Sequence, residues 1–393
     1  MISHRVASIK PSQTMTITAK AKQMIAEGQD VIALGAGEPD FPTPDNVKLA
    51  ATRAIEQDFT RYTPAAGTPE LKKAVADKLK RENGLSYTPS QIAICCGGKH
   101  ALYNVFQTIL EPGDEVIVFE PYWVSYIEQI KLAGGHPIIM ETDESFRIPL
   151  ERFRVAISPQ TKAVILNSPS NPSGAVIGKA VIEQIAELCA AHNIWMVSDE
   201  VYEHFSYDGI SPTSPASLNE TVKERTIIVN AVSKTYSMTG WRIGYVAAPE
   251  EIIKGIAALQ SHQTSNPCSI AQKAAAEALN GQQETVVVMK KAFMKRRDLI
   301  VKGLNAIPGI KCPNPQGAFY VFPDISELLF SEMPDSVAFC ERLLEVGRVA
   351  VVPGSAFGRE GHVRISYASS EEDISTGLAR IKEFVDGLKN PSL

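Results

Sequence analysis

Four short stretches of the chain carry residue types that could do chemistry on one another. Ser233-Lys234 follows the apolar run Thr226–Val229, and Arg242 lies shortly after it. An amine held in a partly buried pocket near a guanidinium has its pKa pushed down, and a neutral amine is a nucleophile for aldehydes. A lysine taken singly is more often a surface residue of a loop, so the assignment depends on what stands beside it. Asp199 ends the apolar run Ile194–Ser198. It either caps the segment that follows or serves as the carboxylate that keeps a pyridine nitrogen protonated. Gly97-Gly98 closes the run Ile92–Cys96 and opens an amphipathic stretch. Bare N–H groups there make either an anion site at a helix N-terminus or an ordinary tight turn. In His362–Tyr367, period-two alternation puts Val363, Ile365 and Tyr367 on one face and Arg364 with Ser366 on the other. An arginine so placed can clamp a carboxylate with two parallel hydrogen bonds.

These residues need a frame that brings strand ends together. Short apolar runs alternate with longer amphipathic stretches from about residue 90 to residue 247, the pattern of a mostly parallel sheet covered by helices. The seven predicted strands are Ile92–Cys96, Glu115–Phe119, Pro137–Met140, Ala163–Asn167, Ile194–Ser198, Thr226–Val229 and Ile243–Ala247. Helices are predicted over Lys99–Leu110, Trp123–Ala133, Lys179–His192 and Ile270–Leu279. In an open parallel sheet, ligands bind beyond the carboxyl ends of the strands, which is where the polar stretches fall. From Glu284 the pattern becomes a long helix to about Leu304, strands at Gly317–Phe322 and Val349–Val352, and a last helix over Glu371–Leu388. The first 45 residues, with a helix near Ile17–Glu27, are too few to fold alone. The expectation is an α/β chain of two domains: 46–284 as the large one, and 1–45 with 285–393 as a smaller α+β unit.

Composition narrows the function further. Lys plus Arg is 39 against 44 for Asp plus Glu, a net charge of -5, and a mildly acidic surface repels phosphate backbones. No stretch approaches the roughly 18 apolar residues of a membrane span. The N-terminus lacks the apolar core of a signal peptide, so a cytoplasmic protein with no nucleic-acid or membrane partner is expected. The six cysteines show no CxxC spacing and read as reduced, packed thiols, with no metal site expected.

The ordered set Asn171-Pro172-Ser173-Gly174, Asp199-Glu200-Val201-Tyr202, Ser233-Lys234 and Arg242-Ile243-Gly244-Tyr245 resembles the class I aminotransferases, pyridoxal-phosphate enzymes of fold type I. The resemblance runs over essentially the whole chain. It implies that Lys234 carries the cofactor covalently and then shuttles a proton, that Asp199 pairs with the pyridinium, and that Asn171 and Tyr202 hydrogen-bond the phenolic oxygen. Gly98, Lys99, Ser233 and Arg242 align with the phosphate cradle, and Trp123 with the ring stacked on the pyridine. Arg364, assisted by Gly37, aligns with the substrate α-carboxylate site. Tyr62 resembles the tyrosine that reaches the phosphate of a neighbouring subunit, which implies a homodimer.

The branch resembled includes bacterial aspartate aminotransferases, and the implied reaction moves an amino group between L-aspartate and 2-oxoglutarate. In that branch the lysine at the place of Lys99 reads the distal carboxylate. Lys10-Pro11-Ser12-Gln13-Thr14 resembles the N-terminal segment that closes over substrate where prephenate is handled, which adds Lys10 and Thr14 to the substrate side. Aromatic amino acids or alanine remain alternative substrates. Other classes fit less well. Gly35-Ala36-Gly37 has Asp40 where a dinucleotide-binding loop needs its third glycine, and Pro39, Pro42 and Pro44 forbid the helix that should follow. Gly174 to Lys179 is one residue short of a P-loop, with Ala180 in place of the magnesium-binding hydroxyl. A noncatalytic aminotransferase-like regulator would need an added nucleic-acid-binding module, for which the chain has no room.

Overall fold

The computed structural model describes residues 2–9 and 13–388. After a short strand β1 (Ile32–Ala33), the chain lays down β2 (Ile92–Cys95), β3 (Glu115–Glu120), β4 (His136–Glu141), β5 (Thr161–Asn167), β6 (Trp195–Asp199), β7 (Thr226–Ala231) and β8 (Gly244–Ala247). These last seven form one sheet in the order β2-β8-β7-β6-β5-β3-β4. Strand β8 runs antiparallel to both its neighbours and the remaining pairs are parallel. All seven strands expected from the sequence are present. They are legible because β2, β7 and β8 are buried at every position, and strands buried on both faces read as continuous apolar runs.

Helices cover both faces. On one, Ala101, Val105 and Phe106 of the helix Gly98–Ile109 pack with Ile253 and Ile256 of Glu250–Ser261 against Val116, Val118 and Val197. On the other, Ile185 and Cys189 of Lys179–His192 pack against Ile117, Val164 and Met196. Helix Pro69–Asn83 packs with Asp45–Glu56 and Ser269–Asn280 in a third cluster containing Leu71, Val75, Ala274 and Ala275. It starts on a Thr68 Oγ1 that accepts from the Leu71 N–H and stops at Gly84, whose φ of 69° suits a residue without Cβ.

A further core gathers Phe293, Ile300 and Leu304 of the helix Glu284–Asn305 with Phe319, Phe339, Ile365 and Phe384. It backs a small sheet in which β12 (Val363–Ser366) lies between β9 (Tyr320–Val321) and β11 (Val352–Pro353). Strand β10 (Val349–Ala350) pairs instead with β1, and Ala21 and Met24 of the helix Gln13–Ala26 pack beside them with Leu344. Two expectations change here. Val349–Val352 is two strands in two sheets, because the chain changes partners at Val351. Gly317–Phe322 joins the small sheet only at Tyr320–Val321, because Gly317 bridges Ser206 instead, the Gly317 and Ala318 N–H groups go to the carbonyls of Gly174 and Phe205, and Ala318 takes a φ of 56°. Among the described residues no helix is long and apolar enough to cross a membrane.

Candidate active site

The polar residues at the strand ends surround one cavity of about 290 Å³. Its floor comes from the two central strands. Asp199 ends β6, 6% exposed, and its Oδ2 accepts from the Tyr126 hydroxyl at 2.6 Å while Oδ1 accepts from the Val201 N–H. Burial raises the Asp199 carboxyl to about 6, against the pull of the Tyr126 hydrogen bond and of Lys234. Beside it β7 runs directly into the one-turn helix Val232–Thr235, which carries Ser233 and Lys234. The Lys234 ammonium donates to the Gly37 carbonyl. Burial lowers Lys234 to about 8; Glu38 acts upward, and Arg364 and Arg242 act downward.

At one end of the cavity Gly97 turns the chain from β2 into the helix Gly98–Ile109. Its φ is 90°, and a Cβ there would lie 2.5 Å from the Arg242 guanidinium, so only glycine fits. Gly98 and Lys99, the first residues of that helix, present unpaired N–H groups beside the guanidinium of Arg242 and the buried Ser233. This is a cradle built for an anion. Lys99 also reaches over Trp123, with Nζ 5.0 Å from the ring centroid, and Trp123 meets Tyr126 edge to face at 5.3 Å.

At the opposite end stands Arg364 of β12, 2% exposed. The alternation seen in the sequence holds, with Val363, Ile365 and Tyr367 in the core of the small sheet. The Arg364 Nη1 donates to Asn171 Oδ1 at 3.0 Å and Nη2 to the Gly35 carbonyl at 2.7 Å, while Nε is buried without a partner. The guanidinium is sandwiched by Tyr320 and Phe357, 4.6 and 5.0 Å from the ring centroids. The Tyr202 hydroxyl meets that of Tyr320 at 2.8 Å.

Of the residues singled out in the sequence, Gly37, Gly98, Lys99, Trp123, Asn171 and Asp199 line this cavity, as do Tyr202, Ser233, Lys234, Arg242 and Arg364. Tyr62 does not; it is 90% exposed. Lys10 lies outside the described residues. Thr14 falls within the helix Gln13–Ala26, and its side chain is likewise outside what is described. Sequence reasoning missed Tyr126, Tyr320, Asn167 and Asn230, which also line the cavity. Asn167 joins two strand ends, donating to the Asp199 carbonyl and accepting from the Asn171 N–H at 2.8 Å. Its place at the end of β5 was the one available signal. Among the described residues no group of three or more His, Cys, Asp or Glu is arranged to hold a metal ion.

The arrangement pairs a nucleophilic amine with a buried carboxylate, an anion cradle and an arginine clamp. Comparison with known proteins gives the chain a family. The model of the family "aminotransferase class I and II" matches residues 29–381. An aspartate/prephenate aminotransferase of Cereibacter sphaeroides is 48% identical over 98% of this chain and 99% of its own length. An aspartate aminotransferase of Geobacillus stearothermophilus is 49% identical at the same coverage. The structure of Thermus thermophilus aspartate aminotransferase with maleate superposes with a TM-score of 0.93 at 48% identity, covering 98% of this chain and 99% of that one. With a family match over residues 29–381 and relatives 48% identical across nearly its whole length, the chain belongs to the class I and II aminotransferases.

Proposed function

We propose that this pyridoxal-phosphate-dependent aminotransferase exchanges the amino group between L-aspartate and 2-oxoglutarate, giving oxaloacetate and L-glutamate, and that it also takes prephenate as an amino acceptor. The observation that carries the reading is the convergence of Lys234, Asp199 and Arg364 on one cavity whose end wall includes Gly98, Lys99 and Arg242. The two relatives supply the substrates. One is named for aspartate and the other for aspartate and prephenate, and the Thermus structure holds maleate, a dicarboxylate.

The residues present fit the cofactor. A buried carboxylate with a raised pKa invites a cationic ring nitrogen, and the glycine cradle with Arg242 invites a phosphate. Asp199 would hold the ring nitrogen, Gly98, Lys99, Ser233 and Arg242 the phosphate, Asn171 and Tyr202 the phenolic oxygen, and Trp123 the ring face. When bound, the group supplies an aldehyde and an electron-withdrawing ring.

The chain's own residues do the rest. Lys234, with its pKa lowered to about 8, has a substantial neutral fraction near neutrality, and its Nζ can take the proton from the substrate Cα. Asp199 keeps its charge where a cation faces it, and Tyr126 and the Val201 N–H fix its orientation. Arg364 binds the α-carboxylate by exchanging its contacts with Asn171 and Gly35 for a bidentate pair, in surroundings that exclude water. Gly37 assists beside it, since its carbonyl takes Lys234 and a Cβ there would lie 2.8 Å from the Tyr320 hydroxyl that stands next to Arg364. Lys99 and Lys10 are assigned to the second carboxylate, with Thr14 in the segment that covers it. A flexible ammonium tolerates more carboxylate positions than a rigid guanidinium, which suits both a short and a bulky acid.

The same reading includes a homodimer in which the exposed Tyr62 serves the neighbouring cavity. It also includes a large domain of 46–284 with a smaller one of 1–45 and 285–393, and a cytoplasmic location. Mixing the holoenzyme with aspartate, glutamate, alanine and aromatic amino acids, and following cofactor absorbance, tests the substrate reading. Aspartate and glutamate should convert the cofactor to its amine form fastest. Faster conversion by alanine or an aromatic donor overturns the aspartate assignment, and no turnover of prephenate removes the second acceptor. An equal loss for aspartate and prephenate in Lys10→Ala would make Lys10 a general lid residue and not a selector.

A further inference from the structure

Lys78 is 1% exposed in the helix Pro69–Asn83, a burial that lysine seldom accepts without partners. Its partners are complete. The ammonium donates to Glu203, to Asn83 Oδ1 at 2.9 Å, and lies 3.5 Å from Glu82. Glu203 lies with Tyr202 in the turn 201–204, just beyond Asp199 at the end of β6. Its Oε1 takes, besides Lys78, the Asn230 amide at 2.6 Å, and its Oε2 takes the Asn83 amide at 2.8 Å. The next residue, His204, meets Glu82 at 3.0 Å through Nε2 and Thr235 Oγ1 at 3.2 Å through Nδ1. Asn230 is the penultimate residue of β7 and Thr235 directly follows Lys234. The network therefore grips the lysine-bearing segment on both sides.

Such a cluster is hard to explain as ballast, because apolar residues of similar volume stabilise a core as well or better. Its particular product is geometric: the Lys78–Glu203 pair ties the helix Pro69–Asn83 and turn 201–204 to Asn230 on one flank of Lys234, and Glu82 with His204 extends the tie to Thr235 on the other. We propose that the buried Lys78–Glu203 pair is a positioning device that holds segment 230–235, and with it the Lys234 amine, against Gly37 and Asp199. This rests on the reading of Lys234 as the cofactor-carrying amine.

The test uses trace acetylation of the cofactor-free protein across pH, with the Lys234 peptide read by mass spectrometry. The charged groups facing Lys234 are Glu38, Asp199, Arg242 and Arg364, and the charged or titratable groups around the Lys78–Glu203 pair are Glu82 with Arg81, Glu200, His204, Tyr236 and Tyr245. Lys78→Met and Glu203→Gln remove opposite charges, so direct electrostatics would move the Lys234 midpoint in opposite directions. Release of a held amine toward water instead moves both midpoints upward, by about one pH unit. In the holoenzyme, kcat should then fall about tenfold with KM nearly unchanged, the signature of lost positioning in the reacting complex.

Equal upward shifts support the proposal; opposite shifts, or none, overturn it. Should the charge variants not fold, Thr235→Val and His204→Gln decide by the same readout. An upward shift of about half a unit supports the grip, and an unchanged midpoint overturns it. A wild-type midpoint at the ordinary lysine value would instead refute the reading of Lys234 itself.

Discussion

Two groups of buried charges lie within a few residues of each other and are treated in opposite ways. Lys78 and Glu203 have their donors and acceptors matched, and Glu203 is held below the ordinary carboxylate range, Lys78 and His204 outweighing the upward push of burial. Asp199, Lys234 and Arg364 are left incomplete. Asp199 has a hydroxyl and one backbone N–H, Lys234 a carbonyl, and Arg364 an unpaired Nε. The difference separates charge that holds the frame from charge kept short of partners so that a ligand completes it. The first group should cost stability when cut, and the second should cost stability while it stands empty.

The largest effect concerns chemistry at the incomplete group. Lys234→Ala should reduce transamination by at least the roughly 10²–10⁴-fold of a positioned acid-base residue, with the cofactor still retained noncovalently in equilibrium dialysis. Next, Lys78→Met leaves Glu203 as an uncompensated buried charge and should destabilise by about 3–5 kcal/mol in urea unfolding.

Lys234→Met in the cofactor-free protein should do the reverse and stabilise by about 3 kcal/mol at pH 7, and Asp199→Asn by a similar amount. The pH dependence follows from the two directions of shift. Asp199 is raised to about 6, so from about pH 4 to 6 the folded chain holds a proton the unfolded chain has released, and stability falls as pH rises. Lys234 is lowered to about 8, so from about pH 8 to 10.5 the unfolded chain holds the extra proton, and stability rises with pH. The cofactor-free protein should therefore show these two penalties together between pH 6 and 8, and urea midpoints of the two variants across pH check the window.

Arg364→Lys loses the bidentate fork and should weaken every amino donor and keto acceptor about 10–100-fold in kcat/KM. Loss confined to dicarboxylic substrates would move Arg364 to the side-chain end. The smallest effect is Trp123→Phe, which keeps an aromatic face but gives up the stronger cation–π partner of Lys99. It should change kcat/KM only severalfold, since an exposed contact of this kind is worth about 0.5–1 kcal/mol.

The large sheet and most of the site were legible because each strand is an unbroken apolar run and each run ends in a conspicuous polar residue. The helices Lys179–His192 and Glu371–Leu388 match the expected bounds residue for residue. The small sheet was not legible at this level. Strands of two residues are too short to show alternation, and the chain around Val351 pairs with different sheets on either side. Tyr126 and Tyr320 reach the site from an amphipathic helix and an apolar strand, where a phenol looks like core. Lys78 sits in a helix that also carries Lys72, Lys73, Lys80 and Arg81, so its burial has no signature in composition. What distinguishes it is spacing, since it falls on the stripe of Leu71, Ala74, Val75 and Leu79 that the helix buries.

The central claim is that Lys234 is the amine that carries the cofactor. Borohydride reduction of the holoenzyme followed by peptide mapping tests it most directly. The label should appear on Lys234, in the peptide containing Ser233 and Thr235. A label on Lys99, or on any lysine other than Lys234, would contradict the account.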